Sequence, residues 1–325
     1  MAKVLITGAH GFLGSHLCEA YLAAGHQVTA LVSPWGKLDN ITHLAELHIV
    51  RADIRDETAL TDVCKNVEIV VHAAAKVADW GRWQDFYSAN VKGTIYLLRA
   101  AQRANVARFL LVSSIAVHPY RGFVNADTRN LSRDSTINAY ARSKRMAEDA
   151  VMMAKLPWTI IRPGLWVFGE RDPQFARVVS AIARGQLPLV GDGQARINTA
   201  YAANLAEGIC WASCHDAATN QSFLLADDGQ PTWAQLFTEI AHTLGVAAPK
   251  YHLPAALVRL AAELCEGVWR FMPAREPPLT RYRARLMTQD IHLTSQATQD
   301  ELGYTPALSW QAGIARACSS LELTH

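Results

Sequence analysis

Several features that would sort this 325-residue chain into other classes are missing from it. Lys and Arg number 31 against 29 Asp and Glu, with no basic cluster, so no footprint for a nucleic-acid backbone exists. No secretory h-region with a cleavage site precedes the strand predicted at Lys3, and export is not expected. The greasiest stretch, residues 253–272, is interrupted by Arg259, Glu263, Glu266 and Arg270. It is too charged for stable membrane insertion and leaves two readings, a core helix of a small lobe or an interfacial helix that admits an apolar ligand. Cysteine is sparse: positions 18, 64, 210, 214, 265 and 318 are widely spread, as expected of reduced cytoplasmic thiols. Of Cys210, Cys214 and His215, the two cysteines could share a helix face, but no partner pair accompanies them, and no metal site is expected. Half of the residues are apolar, enough for a large core, so disorder is excluded.

What is present begins with glycine. Lys3-Val4-Leu5-Ile6 reads as a buried parallel strand, and Thr7-Gly8-Ala9-His10-Gly11-Phe12-Leu13-Gly14 leads from it into an amphipathic segment at residues 15–24. Strand, tight turn and helix in that order predict a dinucleotide site. Gly8 lets the chain turn, Gly11 leaves the helix N-terminus open to a pyrophosphate, and Gly14 lets the helix pack close to the sheet. His10, Phe12 and Leu13 are the turn's other expected cofactor neighbours. A second strand at residues 27–32 should face the adenosine ribose at its end. An NAD site usually places Asp or Glu there, whereas this chain has Leu31-Val32-Ser33-Pro34 and, downstream, Lys37. The missing carboxylate and the donors Ser33 and Lys37 favour NADPH, with NAD possible. Asp53 and Ile54, after a strand at 48–52, are placed to meet the adenine edge. Asp53 is equally suited to N-cap a helix at 58–64.

The second motif is Tyr140-Ala-Arg-Ser-Lys144. A phenol has an unperturbed pKa of ~10, and a lysine four residues on shares its helix face, where its charge can stabilise a phenolate. Upstream, Phe109-Leu-Leu-Val-Ser113-Ser114 reads as a strand ending in two hydroxyls at the edge where α/β sheets bind ligands. Ser114 can donate to a substrate oxygen while Tyr140 moves a proton.

With these residues in this order, the chain resembles the short-chain dehydrogenase/reductase superfamily, in its extended branch of NAD(P)-dependent epimerases and 3-beta-hydroxysteroid dehydrogenases. Besides the glycine turn, the resemblance rests on His72-Ala73-Ala74-Ala75, on Ser114, Tyr140 and Lys144, on Arg162-Pro163-Gly164, and on Leu302-Gly303-Tyr304-Thr305-Pro306. It implies that Ala73, Ala74, Ala75, Asn90, Pro163 and Gly164 also border the cofactor, that Tyr140 and Lys144 reach it, and that the chain is a cytoplasmic homodimer. Residues 76–81 with Phe86 and Asn90-Val91-Lys-Gly93-Thr94 look more like the hydroxysteroid dehydrogenases than the nucleotide-sugar epimerases, and are similar to bacterial 2-alkyl-3-ketoalkanoate reductases. Two departures stand out. His118-Pro119 replaces the Tyr-Gly usual in sugar epimerases, and Ser33 stands where close NADPH-using relatives have arginine.

The expected fold is α/β, a doubly wound parallel sheet of the Rossmann-like, extended type with a smaller C-terminal substrate lobe. Strands near 3, 27, 48, 69, 109 and 158 alternate with helices. Residues 1–165, with 196–226 returning to them, form the expected NAD(P)-binding domain, and 166–195 with 227–325 the substrate lobe. The lobe should hold a helix at 175–184, a strand at 221–226 should return to the sheet, and prolines 249, 254, 273, 277 and 278 should break the later helices. Trp80, Trp83, Trp166, Phe168 and Phe175 are candidates for an apolar substrate wall, each with a core alternative. The reading is an NAD(P)H-dependent ketone reductase or secondary-alcohol dehydrogenase acting on an apolar substrate, steroid-like or a 2-alkyl-3-keto acid. The alternative is a sugar-nucleotide epimerase or dehydratase with tightly bound NAD, its phosphates held by Arg177, Arg184 and Arg196. A cofactor-binding protein without turnover would lack Tyr140 or Lys144, and both are present.

Overall fold

The computed structural model describes residues 1–272 and 275–321. The break expected at Pro273 and the last four residues of the 227–325 segment lie outside them. Seven strands form one parallel sheet: β1 (Lys3–Thr7), β2 (Gln27–Val32), β3 (His48–Arg51), β4 (Ile69–His72), β5 (Arg108–Val112), β6 (Trp158–Pro163) and β7 (Gln221–Leu225). Their spatial order is β7-β6-β5-β4-β1-β2-β3. The chain therefore starts in the middle of the sheet, winds out to β3, and crosses back to lay β4 on the other side of β1. The carboxyl ends of β1 and β4 diverge there, which is where a doubly wound sheet opens a crevice for a ligand.

The strands are apolar because the sheet is covered on both faces. On one side α1 (Phe12–Ala23) buries Leu17 and Tyr21. α2 (Glu57–Val63) lies on the other face, followed by α3 (Trp83–Phe86), a π-helical segment Tyr87–Lys92, α4 (Gly93–Arg103) and α5 (Ala139–Met152). The second face is filled by Leu60, Leu97, Phe109, Ala147 and Val151. Asp53 does not cap α2. Asp56 does, accepting from the amides of Thr58 and Ala59 at 3.0 and 3.1 Å, because it directly precedes the first turn while Asp53 is three residues too early.

Beyond β6 the chain forms α6 (Pro173–Ala183), α7 (Ala202–Cys214), α8 (Trp233–Leu244), α9 (Ala255–Trp269), α10 (Arg281–Thr288), α11 (Gln296–Leu302) and α12 (Trp310–Ser319). α7 returns to pack on α1, burying Leu205 and Ile209 with Leu17 and Tyr21. α6, α8 and α12 enclose a separate core in which Trp166, Phe168, Phe175 and Trp233 stack at centroid separations of 5.5 to 5.9 Å. Phe168 and Phe175 are fully buried in that stack, so they hold the lobe together and are not an accessible wall.

Candidate active site

The glycine turn is fixed by packing. Gly8 has φ +71°, and a Cβ there would stand 2.8 Å from Ala74 Cα; a Cβ on Gly14 would stand 2.0 Å from the Gly8 carbonyl oxygen. Only bare backbone lets α1 begin this close to the ends of β1 and β4. Gly11 is the N-cap of α1 and brings no side-chain acceptor, so the first-turn amides, including those of Phe12 and Leu13, are donors for an anion at the crevice. The residues present thus fit the pyrophosphate of a dinucleotide. Ala73 to Ala75 follow β4 directly beneath Gly8. Pro163 ends β6, and the Gly164 amide donates to Leu225 O at 2.8 Å.

Beneath the crevice runs a wire of oriented hydrogen bonds. The Ala74 amide donates to Thr7 Oγ1 (3.1 Å), Thr7 Oγ1 to His72 Nδ1 (2.8 Å), His72 Nε2 to Thr94 Oγ1 (2.9 Å), and Thr94 Oγ1 to Asn90 O (2.6 Å). Since each hydroxyl has one proton, this direction fixes His72 as the neutral Nε2–H tautomer. Burial and then the Lys144 charge push its pKa down to about 3. Asn90 lies in the π-helical segment. Its Oδ1 accepts from the Lys76 amide (2.7 Å), and its Nδ2 donates to Lys76 O (3.0 Å) and Ser143 Oγ (2.9 Å). The side chain expected at the cofactor spends both donors tying the loop after β4 to α5.

At the adenosine end, His10 Nε2 stands 3.5 Å from Ser33 Oγ, and Lys37 is exposed. Asp53 is held by Arg55, and Ile54 packs toward Gly93. Sequence reasoning missed Arg51. Its guanidinium donates to the carbonyls of Ser33, Pro34 and Gly36 at 3.0 to 3.2 Å, because the parallel register sets Arg51 beside Val32. An arginine from β3 thus stands beside the loop that follows β2.

The residues expected to move a proton meet at the carboxyl end of β5. Asn138 caps α5 through the Ala141 amide at 2.8 Å and so sets Tyr140 in the first turn. Ser114, just past β5, accepts from the Ala116 amide at 3.1 Å, and its hydroxyl is near enough to the Tyr140 phenol to influence its titration. One turn on, the buried Lys144 Nζ donates to Val112 O at 2.6 Å. Burial lowers the Lys144 pKa to about 8, with the Glu148 carboxylate opposing. Burial raises Tyr140 to about 12, the Ser114 hydroxyl opposes, and the Asp79 carboxylate adds to the rise. The phenol is a held proton.

Around it the walls are apolar. Tyr140 packs against a buried cluster that includes Ile115, Ala116 and Tyr120, and Ile137, Leu165, Tyr282 and Leu286 pack against the same cluster. The rings of Tyr120 and Tyr282 meet edge to face at 5.3 Å, with their hydroxyls 3.3 Å apart. Arg283, next to Tyr282, is paired with Asp79 at 2.5 Å and with Glu276. None of these partners had a local sequence signal, since α10 brings them from far along the chain. Trp83 lies under the Arg142 guanidinium, 4.2 Å from its ring centroid, and Trp80 is half-buried nearby in sequence. Arg184 bonds Gln186, while Arg177 and Arg196 are exposed.

The model of the NAD dependent epimerase/dehydratase family matches residues 4–226. The 2-alkyl-3-oxoalkanoate reductase of Stenotrophomonas maltophilia is 29% identical, over 98% of this chain and 99% of its own length. The decarboxylating sterol-4-alpha-carboxylate 3-dehydrogenase of Mus musculus is 26% identical, over 98% and 91%. Among solved structures, the UDP-glucuronic acid 4-epimerase of Bacillus cereus in complex with UDP-glucuronic acid and NAD superposes with a TM-score of 0.78 at 21% identity, covering 99% of this chain and 100% of that one. That likeness speaks to the fold alone.

Proposed function

We propose, from the premise that this chain belongs to the NAD dependent epimerase/dehydratase family and is an NAD(P)-dependent oxidoreductase of the extended short-chain dehydrogenase/reductase type, that it reduces the ketone of a largely apolar molecule. The observation that carries the reading is Tyr140, with the Ser114 hydroxyl acting on it, packed against the apolar cluster that Tyr120, Leu165 and Tyr282 share. Bound NAD(P)H supplies hydride chemistry at the crevice. Ser114 holds the carbonyl oxygen, and Tyr140, kept protonated by its burial, gives it the proton. Lys144, fixed on Val112 O, stands one turn along α5 from the phenol and is the residue that would hold the nicotinamide ribose. Tyr140, Lys144, Gly8, Gly11, Gly14 and Gly164 are proposed to line one continuous path from phosphates to reacting carbon, with Asn90 bracing the loop behind it. NADPH is the proposed coenzyme, because Arg51 and Ser33 meet at the end of β2 with no carboxylate between them.

The curated relatives named as a 2-alkyl-3-oxoalkanoate reductase and a sterol dehydrogenase support this substrate class. A second reading, interconversion of a nucleotide sugar with retained NAD, is favoured by the superposable solved structures, among them UDP-sugar epimerases. Against it, the Arg283 guanidinium at the mouth is already shared by Asp79 and Glu276, two charges that repel a diphosphate. A coenzyme-linked screen of 2-alkyl-3-ketoalkanoates, 3-ketosteroids and UDP-sugars at equal concentration tests the proposal. Turnover of either ketone series with none of the nucleotides supports it. Exclusive activity on UDP-sugars, with NAD surviving dialysis, rejects it.

A further inference from the structure

α9 packs through Val258 and Ala262 against Ala284 of α10, and leaves a second apolar face uncovered. Leu257, Leu260, Leu264 and Val268 are 60, 53, 64 and 55% exposed. At 3.6 residues per turn they fall within an arc of roughly 80°, a single stripe. Leu253 and Phe271, 45% and 86% exposed, extend it at both ends. An apolar stripe of this length on a surface otherwise mixed in character marks a docking face.

The charges beside it choose the occupant. Between residues 250 and 285 the chain carries seven basic residues, Lys250, Arg259, Arg270, Arg275, Arg281, Arg283 and Arg285, against three acids, Glu263, Glu266 and Glu276. Glu266 is taken by Arg281 at 2.6 Å and Glu276 by Arg283, which leaves Glu263 as the one acid of the three outside an ion pair among the described residues. Lys250, Arg259, Arg270 and Arg285 stand exposed with no carboxylate in salt-bridge range among the described residues. A second copy of this chain laid on the same face would bring this basic rim against itself, which costs association. An anionic bilayer offers both what the stripe lacks, an apolar layer at acyl-chain depth, and what the rim lacks, negative headgroups.

We propose that α9 lies in the interface of an anionic phospholipid bilayer, with Leu257, Leu260, Leu264 and Val268 in the acyl boundary and Arg259 and Arg270 among the headgroups. The protein is then held on the membrane by one face and spans nothing; no described helix is long and apolar enough to cross. The polar flank of α9 shares a cavity of about 470 Å³ with Tyr120, Arg281 and Arg285. Since Tyr120 bonds Tyr282 beside Tyr140, the docked face adjoins the wall of the site. The inference stands apart from the ketone-reductase reading, because it is tested without substrate and either can fail alone.

The experiment is flotation of the full-length protein with vesicles of phosphatidylcholine, with and without phosphatidylglycerol, at low and high salt. Flotation with the phosphatidylglycerol vesicles, weakened by salt, is the expected result. Leu260→Glu with Leu264→Glu should lower partitioning at least about tenfold, and Arg259→Ala with Arg270→Ala about fivefold per charge and make it less salt-sensitive. Unchanged circular dichroism and unchanged soluble activity in both variants, whose residues are exposed, show that folding is not the cause. Failure to float, equal flotation with both vesicle types, or indifference to the leucine substitutions overturns the proposal. So does a homodimer in solution that the leucine substitutions split, since the stripe is then covered by a second copy.

Discussion

Replacing Arg162 by Met should expose how α5 is held on the sheet. Glu148 and Arg162 are 0% and 3% exposed, and the guanidinium grips the carboxylate through Nε and Nη2, both at 2.9 Å. This pair ties β6 to the helix that carries Tyr140 and Lys144. Removing Arg162 leaves a buried carboxylate whose remaining cation, Arg133, is 30% exposed and 3.2 Å away. Breaking a buried pair from one side costs ~3–5 kcal/mol. The residual Arg133 contact places this case near ~3 kcal/mol, a urea midpoint lower by about 1 M. The pH dependence carries the sharper test. In the parent, burial pushes the Glu148 carboxyl up, but Arg162 outweighs it and holds the pKa below 4.5. Its stability contribution is therefore complete above 4.5 and is lost as pH falls through the lowered value. In Arg162→Met burial is opposed only by the Ser113 hydroxyl and the weak Arg133 contact, the folded pKa rises above the unfolded one, and the variant loses stability as pH rises instead. The difference between parent and variant should be largest near pH 8 and shrink toward pH 5. Glu148→Leu with Arg162→Met should recover most of the loss, because neither charge is then stranded. A single variant within ~1 kcal/mol of the parent, or a gap that widens toward acid, refutes the account.

Tyr140→Phe should lower kcat by roughly 10²-fold or more with coenzyme affinity nearly unchanged, since only the proton donor is lost; stopped-flow turnover and fluorescence titration read the two quantities, and a kcat within threefold of the parent sinks the assignment. Arg51→Ala should weaken NADPH about tenfold more than NADH, one charged hydrogen-bonding partner being ~1.4 kcal/mol or more; an unchanged ratio of the two dissociation constants means Arg51 only braces the loop at Ser33–Gly36. Burial holds His72 near pKa 3 and His118 near 4, so below 6.5 the unfolded chain takes up two protons that the folded chain refuses. Stability should fall by about 2–3 kcal/mol per pH unit between 6.5 and about 4.5, and urea midpoints that are flat over that window contradict the tautomer assigned to His72.

The glycine turn, the alternation of strands and helices, and the pairing of Tyr140 with Lys144 were legible in the sequence because each is local. A strand followed by Gly8, Gly11 and Gly14 needs no distant residue to be recognised, and positions four apart share a helix face wherever the helix lies. The register of neighbouring strands is not local. It brought Arg51 to the loop after β2, across from Val32, and filled a place that the sequence around Ser33 left blank. Docking of α10 likewise put Tyr282 on Tyr120 and Arg283 on Asp79, residues more than 160 positions apart. Which aromatics face a ligand also depended on depth: Phe168 and Phe175 read as wall or core in the sequence, and only the packing of α6 and α8 buried them. The charge on Lys144 was predictable, but its attachment to Val112 O, and the rise of Tyr140 to about 12, follow from how much water the folded chain removes. Desolvation is a property of the whole enclosure, and no motif carries it. The leucines of α9 were visible as a greasy stretch, whereas their exposure was settled by which face of the helix α10 covers.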